Sequence, residues 1–281
     1  MSDLSLRAIV AIALLGGASG CIVYNEQCSP LIENPEDVTG YLGGDVSTLK
    51  ATVRTSDNSF GQLIAESYYF AFESSRAELR PDVAFENSGS IRSEGICTSI
   101  DTVPKGPVRR KVLREVLPFD NGVAAVTVTH HQLKKIFEHS VAGLSPTGTA
   151  SPAGAFLQLY GATVSADCKL PAEALKADGT LDKEGARITA ITLLRRDGTT
   201  FDIPLVPASD TQTVRVATNS YVVTGGDNYA AFKELDPNAN DSLSAGGFNF
   251  EIIAQRFKTA YPETKPFPVP PPTRWVLTDC H

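Results

Sequence analysis

Side chains that could hold a transition metal are scarce in this sequence. Its 281 residues include only four histidines and five cysteines, whereas such sites draw heavily on imidazole and thiolate ligands. The histidines are His130, His131, His139 and His281. None of them has the spacing to another ligand that is typical of a catalytic metal. We therefore predict neither a metal site nor another cofactor.

The overall charge argues against a second class of function. The chain carries 25 Lys and Arg residues and 32 Asp and Glu residues, which gives a formal net charge of -7 at pH 7. A chain with this balance has no general positive field to attract a nucleic acid backbone. We therefore expect no nucleic acid polymer as a partner. The hydrophobic share of 42% is that of a globular domain with an ordinary core.

The first residues have the pattern of an export signal. Residues 8–15 form an apolar run behind Arg7 that is too short to cross a bilayer as a helix, for which about 20 residues are needed. Small residues then lead into Cys21, and the arrangement looks like the lipobox of bacterial lipoproteins. We predict a signal peptide at residues 1–20, lipidation of Cys21, and a membrane-anchored, extracytoplasmic location in the bacterial cell envelope. Secretion without a lipid and a cytosolic protein with an apolar N-terminus are the alternatives.

Export would place the remaining cysteines in an oxidising compartment. They are Cys28, Cys97, Cys168 and Cys280, an even set that can form two disulfides in three possible pairings. No C-x-x-C pair occurs among them, which disfavours a metal site. The polar, proline-containing residues 21–47 are interpreted as a surface tether, followed by one folded domain over residues 48–281.

Helical and strand patterns alternate after residue 48. We expect helices at residues 62–72, 132–141 and 250–261. We expect strands at residues 123–129, 188–194, 200–206 and 214–218, with Asp197-Gly198 closing a hairpin between the second and the third. The proline-rich residues 266–272 must be extended because proline lacks an N–H and excludes helix, and we expect them to pack as a terminal strap.

Five short stretches, in this order, resemble the C-terminal domain of the 5'-nucleotidase family. They are Arg54 with SFGQLI at 59–64, NSGSIR at 87–92, LPF at 117–119, FLQ at 156–158, and NSYVVTGGDNY at 219–229. Each stretch alone is weak evidence for the resemblance, but together the stretches cover residues 48–275 without a gap. The resemblance implies an α+β domain around a mixed sheet, which is the part that binds the nucleoside in the full enzymes.

The resemblance assigns roles to eight residues. They are Arg54, Asn87, Arg92, Phe119, Tyr221, Gly225, Gly226 and Asp227. Phe119 and Tyr221 match the aromatic pair that stacks on both faces of the nucleobase, and such stacking contributes about 1 to 3 kcal/mol per base. The alternative for this pair is that both rings are ordinary core residues.

The other matched residues would contact sugar and phosphate. The glycines of the GGD turn allow a positive φ and a close backbone approach, and Asp227 could accept hydrogen bonds from a ribose diol. Arg54 and Arg92 match arginines near the ribose and phosphate, and a guanidinium suits bidentate contact with oxyanions. Asn87 would offer its amide to base or sugar. The alternatives are an ordinary turn and surface ion pairs.

In the full enzymes a metallophosphoesterase domain precedes this one and supplies a dinuclear metal site. Such a site needs several imidazoles and carboxylates, and no such ligand set occurs in this sequence. We therefore predict a lipid-anchored domain that binds a nucleoside or nucleotide and does not hydrolyse it alone. One alternative is half of a 5'-nucleotidase, completed by a separate metallophosphatase chain. Another is an envelope interaction module without a ligand.

Overall fold

A mixed β-sheet forms the centre of the fold. The computed structural model describes residues 32–148, 153–205, 211–235 and 243–281. Within these residues the strands are β1 Val38–Leu42, β2 Val46–Ser47, β3 Val83–Asn87, β4 Thr102–Val103, β5 Gly106–Arg109, β6 Gly122–Thr129, β7 Leu157–Tyr160, β8 Ala162–Asp167, β9 Ala174–Leu175, β10 Leu181–Lys183, β11 Ile188–Leu194, β12 Thr200–Asp202, β13 Thr213–Asn219, β14 Leu243–Phe248 and β15 Trp275–Thr278. The α-helices are α1 Lys50–Val53, α2 Ser59–Phe70, α3 Arg110–Val116, α4 His130–Val141, α5 Ser220–Val223, α6 Ala230–Lys233 and α7 Asn249–Ala260. Single 3₁₀ turns lie at Ala77–Leu79, Ser88–Ser90 and Gly226–Asn228.

The strands form two larger sheets and three short ribbons. The central sheet has the order β14-β6-β13-β3-β7, in which the described pairs are antiparallel except β13 with β3. The second sheet has the order β12-β11-β8-β15, and β15 runs parallel to β8. The ribbons pair β1 with β5, β2 with β4, and β9 with β10. This mixture of parallel and antiparallel strands, packed against helices, confirms the predicted α+β class.

The two faces of the central sheet carry separate hydrophobic clusters. Val83 and Phe85 belong to one cluster and Ala84 to the other, because successive strand residues point to opposite faces. Helices α2 and α7 cover the face of Ala84, whereas α4 and the second sheet cover the face of Phe85. The rings of Phe137 and Trp275 meet edge to face at 5.8 Å between centroids and join α4 to the second sheet.

The predicted helices are confirmed, and side-chain caps explain where they begin. Helix α2 starts earlier than predicted because Asn58 Oδ1 accepts hydrogen bonds from the backbone N–H groups of Phe60 and Gly61. Helix α4 begins at His130, where the Thr129 side chain and Gln132 form a reciprocal capping box. The predicted hairpin around Asp197-Gly198 is formed by β11 and β12.

The predicted boundary between tether and domain is too late in the sequence. Strand β1 pairs with β5 and strand β2 with β4, and both Leu42 and Val46 are buried in the core. Gly40 lies so close to the ring of Phe257 that a Cβ there would stand 2.3 Å from it. The folded domain therefore includes residues that were assigned to the tether. The boundary was misplaced because short strands flanked by glycine have no clear hydrophobic periodicity.

The C-terminal segment closes the fold. Phe267 is buried and pairs with Leu42, and the backbone oxygen of Pro272 accepts a hydrogen bond from Gln62, which confirms the predicted packing of residues 266–272. Cys168 and Cys280 form a disulfide with a Cα separation of 5.0 Å, one of the pairings left open by the sequence. Cys97 is also disulfide-bonded.

Several predictions for the N-terminus fall outside the described residues. These are the signal peptide at 1–20, lipidation of Cys21, the beginning of the tether, and Cys28. Across residues 32–148, 153–205, 211–235 and 243–281, no helix is long and apolar enough to cross a bilayer.

Candidate functional site

A cleft opens where the parallel strands β3 and β13 end. Strand β3 ends at Asn87 and β13 at Asn219, so both deliver their next residues to the same edge of the sheet. Phe119 reaches this edge from the loop between α3 and β6. The cleft has a volume of about 260 Å³, and we call it the carboxyl-edge cleft. Its lining residues are Asn87, Gly89, Ser90, Arg92, Phe119, Asn121, Tyr221 and Asp227.

Five of the eight predicted site residues line this cleft. They are Asn87, Arg92, Phe119, Tyr221 and Asp227. Arg54, Gly225 and Gly226 are not part of the lining, although all three support it as described below. Gly89, Ser90 and Asn121 also line the cleft and were not predicted as site residues. Gly89 and Ser90 lie inside the NSGSIR motif, so the motif itself was the signal for these two.

The two predicted aromatic residues are exposed. Phe119 and Tyr221 retain 41% and 44% of their accessible surface, so neither ring is part of the core. This observation contradicts the alternative in which both had become core residues. The guanidinium of Arg92 lies over the Phe119 ring, 5.1 Å from its centroid. One ring is thus positioned by a cation–π contact, which leaves surface for another planar group.

Asp227 is the polar centre of the carboxyl-edge cleft. Its Oδ2 accepts a hydrogen bond of 2.7 Å from the Asn87 amide, and its Oδ1 accepts one of 3.1 Å from the Tyr221 hydroxyl. The Tyr221 hydroxyl in turn accepts the backbone N–H of Asp227 at 3.1 Å. The carboxylate therefore fixes the tyrosine ring as well as itself.

The GGD turn needs its glycines for two different reasons. Gly225 has φ 86°, in the left-handed region that favours glycine. Gly226 instead lies against Tyr221, and a Cβ there would stand 2.6 Å from its ring. Asp227 and Asn228 are also left-handed, with φ values of 49° and 65°. Asp and Asn tolerate this region better than most residues, so both positions can adopt the conformation that the turn requires.

A buried carboxyl group lies beneath the cleft. Asn219 donates hydrogen bonds of 2.8 Å from its amide to Glu86 Oε2 and to Asn87 Oδ1, and the Ser90 hydroxyl donates one of 2.7 Å to Asn87 Oδ1. Burial raises the pKa of Glu86 to about 7, and the neighbouring polar side chains of Ser90, Asn219 and Tyr68 offset this only in part. Sequence reasoning missed Glu86, because a single acid in a strand gives no pattern.

His139 supports the GGD turn from behind. Its Nδ1 lies 2.7 Å from Glu173 Oε1, and its Nε2 lies 2.7 Å from the backbone oxygen of Asp227. A carboxylate and a carbonyl oxygen only accept hydrogen bonds, so the two contacts are satisfied together when both ring nitrogens donate. The side chains of His139 and Glu173 are only 11% and 5% exposed. This histidine was considered in the sequence only as a possible metal ligand.

The two predicted arginines lie close enough to influence each other. Burial lowers the pKa of Arg54, the positive charge of Arg92 lowers it further, and the carboxylates of Asp227 and Glu94 act in the opposite direction. The loop of Arg54 is held by Gln158, whose amide donates to the backbone oxygens of Val53 and Ser56. Two guanidinium groups close together are suited to charge-assisted hydrogen bonds with an anion, although two carboxylates also lie near them.

Gly61 and Gln158, both from matched motifs, explain how α2 sits on the sheet. A Cβ at Gly61 would stand 2.2 Å from Gln158 Cγ, so only glycine allows the helix this close to β7. Gln158 Oε1 also accepts the backbone N–H of Asn58, which caps α2. Gly61 and Gln158 therefore position the site without lining the cleft.

Among the described residues there is no cluster of three or more His, Cys, Asp or Glu side chains that could hold a metal ion.

We expect Glu86 to make stability depend on pH. Its pKa is about 7 in the folded chain against 4.5 in the unfolded reference, so its contribution is fully present below pH 4.5 and is lost as the pH rises through 7. Glu86→Gln should remove this loss and raise the free energy of unfolding above pH 7 by up to about 3 kcal/mol. Urea unfolding at pH 5 and pH 8 measures this change in the free energy of unfolding. The exposed Glu78→Gln is the control, and an unchanged pH dependence in Glu86→Gln would refute the assignment.

We expect His139 and Glu173 to behave as a buried ion pair. His139→Phe should lower the free energy of unfolding by about 3 kcal/mol, because it leaves the Glu173 carboxylate buried without a cation. The double variant His139→Phe with Glu173→Leu should recover most of that loss. Urea unfolding measures both variants, and a double variant as unstable as the single one would contradict the pairing.

Comparisons with known proteins agree with the motifs and the fold. Residues 38–234 match the family description "5'-nucleotidase, C-terminal domain". The trifunctional nucleotide phosphoesterase protein YfkN of Bacillus subtilis is 26% identical over 220 residues, which cover 78% of this chain and 12% of that protein. A 5'-nucleotidase of Diplobatis ommata is 26% identical over 189 residues, covering 65% of this chain and 29% of that protein.

A solved structure has the same fold. The 5'-nucleotidase precursor of Thermus thermophilus superposes with a TM-score of 0.66 at 22% identity, over 89% of this chain and 41% of that one. This chain thus spans less than a third of the length of either curated relative and less than half of the solved structure. Because the family match extends over most of the sequence, the chain belongs to the 5'-nucleotidase family, and its folded part is the C-terminal domain of that family.

Proposed function

We propose that this protein binds a nucleoside or nucleotide in the carboxyl-edge cleft. The observation that carries the proposal is the convergence, at one sheet edge, of two exposed aromatic rings with the Asp227 carboxylate. Exposed rings beside a fixed carboxylate are an unusual arrangement for a surface that binds nothing, because each ring leaves apolar area in water. They offer a planar apolar surface and a hydrogen-bond acceptor at the same place.

Different residues of the site would contact the base, the ribose and the phosphate of the ligand. Phe119 and Tyr221 would stack on the base, with about 1 to 3 kcal/mol per base for such contacts. Asp227 already accepts two side-chain hydrogen bonds, but two carboxylate oxygens have about four acceptor positions, so capacity remains for ribose hydroxyls. Arg54 and Arg92 would attract a 5'-phosphate through charge-assisted hydrogen bonds. Ser90 supports Asn87, which would complete the sugar contacts.

We further propose that the protein acts outside the cytoplasm on a lipid anchor at Cys21. The support is the lipobox-like sequence that ends at Cys21. The Cys168–Cys280 disulfide adds to it, because structural disulfides persist in oxidising compartments and are rare in the cytosol of most organisms.

Binding without hydrolysis is part of the same proposal. A two-metal phosphoesterase site requires several imidazole and carboxylate ligands at close range, and only four histidines occur in the sequence. One observation favours a second candidate, namely that the two curated relatives, named as a nucleotide phosphoesterase and as a 5'-nucleotidase, are several times longer than the matched region. In that candidate this chain supplies the nucleotide-binding half of a 5'-nucleotidase, and a separate metallophosphatase chain supplies the metals.

Calorimetry tests the binding. The purified protein should bind at least one of adenosine, AMP, UMP and a UDP-sugar, and Tyr221→Ala should weaken that binding by about tenfold, which corresponds to about 1.4 kcal/mol of lost stacking. Leu170→Ala is the control, since Leu170 is an exposed apolar residue outside the cleft. The absence of heat with all four ligands would reject the proposal.

Phosphate release from AMP separates the two candidates. The protein alone, with Mn²⁺ or Zn²⁺, should release no phosphate above the uncatalysed background. Release that appears only on mixing with a metallophosphatase chain, and that falls with Tyr221→Ala, would establish the half-enzyme. Release by the isolated protein would overturn the proposal that it binds without hydrolysis.

A further inference from the structure

A second cavity lies at the opposite end of the central sheet. It has a volume of about 370 Å³, and we call it the arginine cavity after the four arginines in its lining, Arg80, Arg195, Arg196 and Arg274. Tyr160, at the end of β7, is also part of this lining and pairs with Ala84 near the start of β3, whereas Asn87 at the other end of β3 lines the carboxyl-edge cleft. The three residue steps from Ala84 to Asn87 separate these two strand positions by roughly 10 Å at 3.3 Å per residue.

The charge of the arginine cavity is opposite to that of the whole protein. Its four guanidinium groups face one carboxylate in the lining, Glu73. Glu73 pairs with Arg196 at 2.5 Å and with Arg80 at 3.3 Å. Three positive charges are therefore in excess in a chain whose formal net charge is -7. A positive concavity of this kind raises the local concentration of anions.

Three segments that are distant in sequence supply these charges. Arg80 follows the 3₁₀ turn behind α2, Arg195 and Arg196 lie at the end of β11, and Arg274 precedes β15. A run of neighbouring basic residues often forms only a solvated face, but here the tertiary fold gathers the cations into one concavity. An adjoining cavity shares Arg80, Arg195 and Arg196, and it also contains the carboxylates of Asp82 and Asp197. Arg274 lines only the arginine cavity of these two, and the nearby Asp57 carboxylate interacts with it electrostatically.

Aromatic rings lie against three of the guanidinium groups. Arg195 lies over the Phe201 ring, 4.8 Å from its centroid. Arg196 lies over the Tyr69 ring, 4.0 Å from its centroid, and donates to the Tyr69 backbone oxygen. Arg274 lies over the Tyr160 ring at 5.4 Å. A guanidinium whose face is covered by a ring still presents its N–H edge, which is the geometry that binds two oxygens of a phosphate.

Part of the donor capacity has no acceptor within the described protein. Among the described residues, neither Arg195 nor Arg274 has a carboxylate within ion-pair distance, and Arg274 Nε is buried without a hydrogen-bond partner. The carboxylate of Asp57 accepts the backbone N–H groups of Arg274 and Trp275 and lies outside the lining of the cavity. Buried donors normally find a partner in protein, water or a ligand.

We propose that the arginine cavity binds the phosphate group of a second anionic ligand, a diphosphate or a phosphate ester. A phosphate group carries between one and two negative charges and three acceptor oxygens, so a diphosphate matches the three excess positive charges better than a single carboxylate does. The volume exceeds that of the carboxyl-edge cleft, 370 against 260 Å³, and leaves room for an organic group on the phosphate. This site does not depend on nucleoside binding at the other end of the sheet.

Inorganic pyrophosphate is the first probe. The full chain should bind it in calorimetry at low ionic strength, and binding should weaken as salt is added. Arg195→Gln combined with Arg274→Gln should weaken it at least about tenfold. Arg195→Gln alone changes an exposed side chain and leaves the fold intact, and it should cause a loss of at least about threefold. Arg109→Gln, an exposed arginine outside the cavity, and Tyr221→Ala, in the carboxyl-edge cleft, should leave the affinity unchanged.

Sedimentation with vesicles distinguishes the source of the phosphate. Binding to phosphatidylglycerol vesicles but not to phosphatidylcholine vesicles, lost in the double variant and without binding of pyrophosphate, would assign the site to a lipid headgroup. Three outcomes would overturn the proposal: no binding of either probe, binding that the double variant retains, or pyrophosphate binding that Tyr221→Ala abolishes. The last would place the pyrophosphate in the carboxyl-edge cleft, whereas nucleoside binding there is tested separately.

Discussion

The parallel pairing of β3 with β13 sets the amide of Asn219 between the carboxyl group of Glu86 and the amide of Asn87. All three side chains are buried, so none can exchange its partner for water without a cost of about 1 to 3 kcal/mol. Asn219 also caps α5 through its side-chain oxygen, which positions Tyr221 one residue further on. One amide thereby fixes the relative positions of Asn87, Tyr221 and, through Asn87, Asp227.

The supporting groups around this contact form a second layer that the ligand would not touch. His139 holds the backbone of Asp227, and Gln158 holds the loop of Arg54. The carboxyl-edge cleft is therefore built from side chains whose positions are fixed before any ligand arrives. Preorganisation of this kind improves affinity because fewer groups lose freedom on binding.

Part of this arrangement could be predicted from the sequence, and part could not. Long periodic segments such as α4 were predicted correctly, because the hydrophobic positions repeat over several turns. Strands β1, β2, β14 and β15 were not, since two to six residues with glycines or mixed polarity carry too little periodicity. Motif resemblance found five of the eight residues that line the cleft, because those five belong to short local sequence motifs. Glu86 and Glu173 were missed, since their importance depends on contacts 133 and 34 residues away along the chain, with Asn219 and His139 respectively.

The hydrogen bond between Asn87 and Asp227 joins residues 140 positions apart in the chain. Contacts of such sequence separation form slowly, because much chain entropy is lost before they are made. During synthesis, Asn87 cannot form this hydrogen bond until Asp227 has left the ribosome. Until then the exposed ends of β3 and α2 are open to incorrect association.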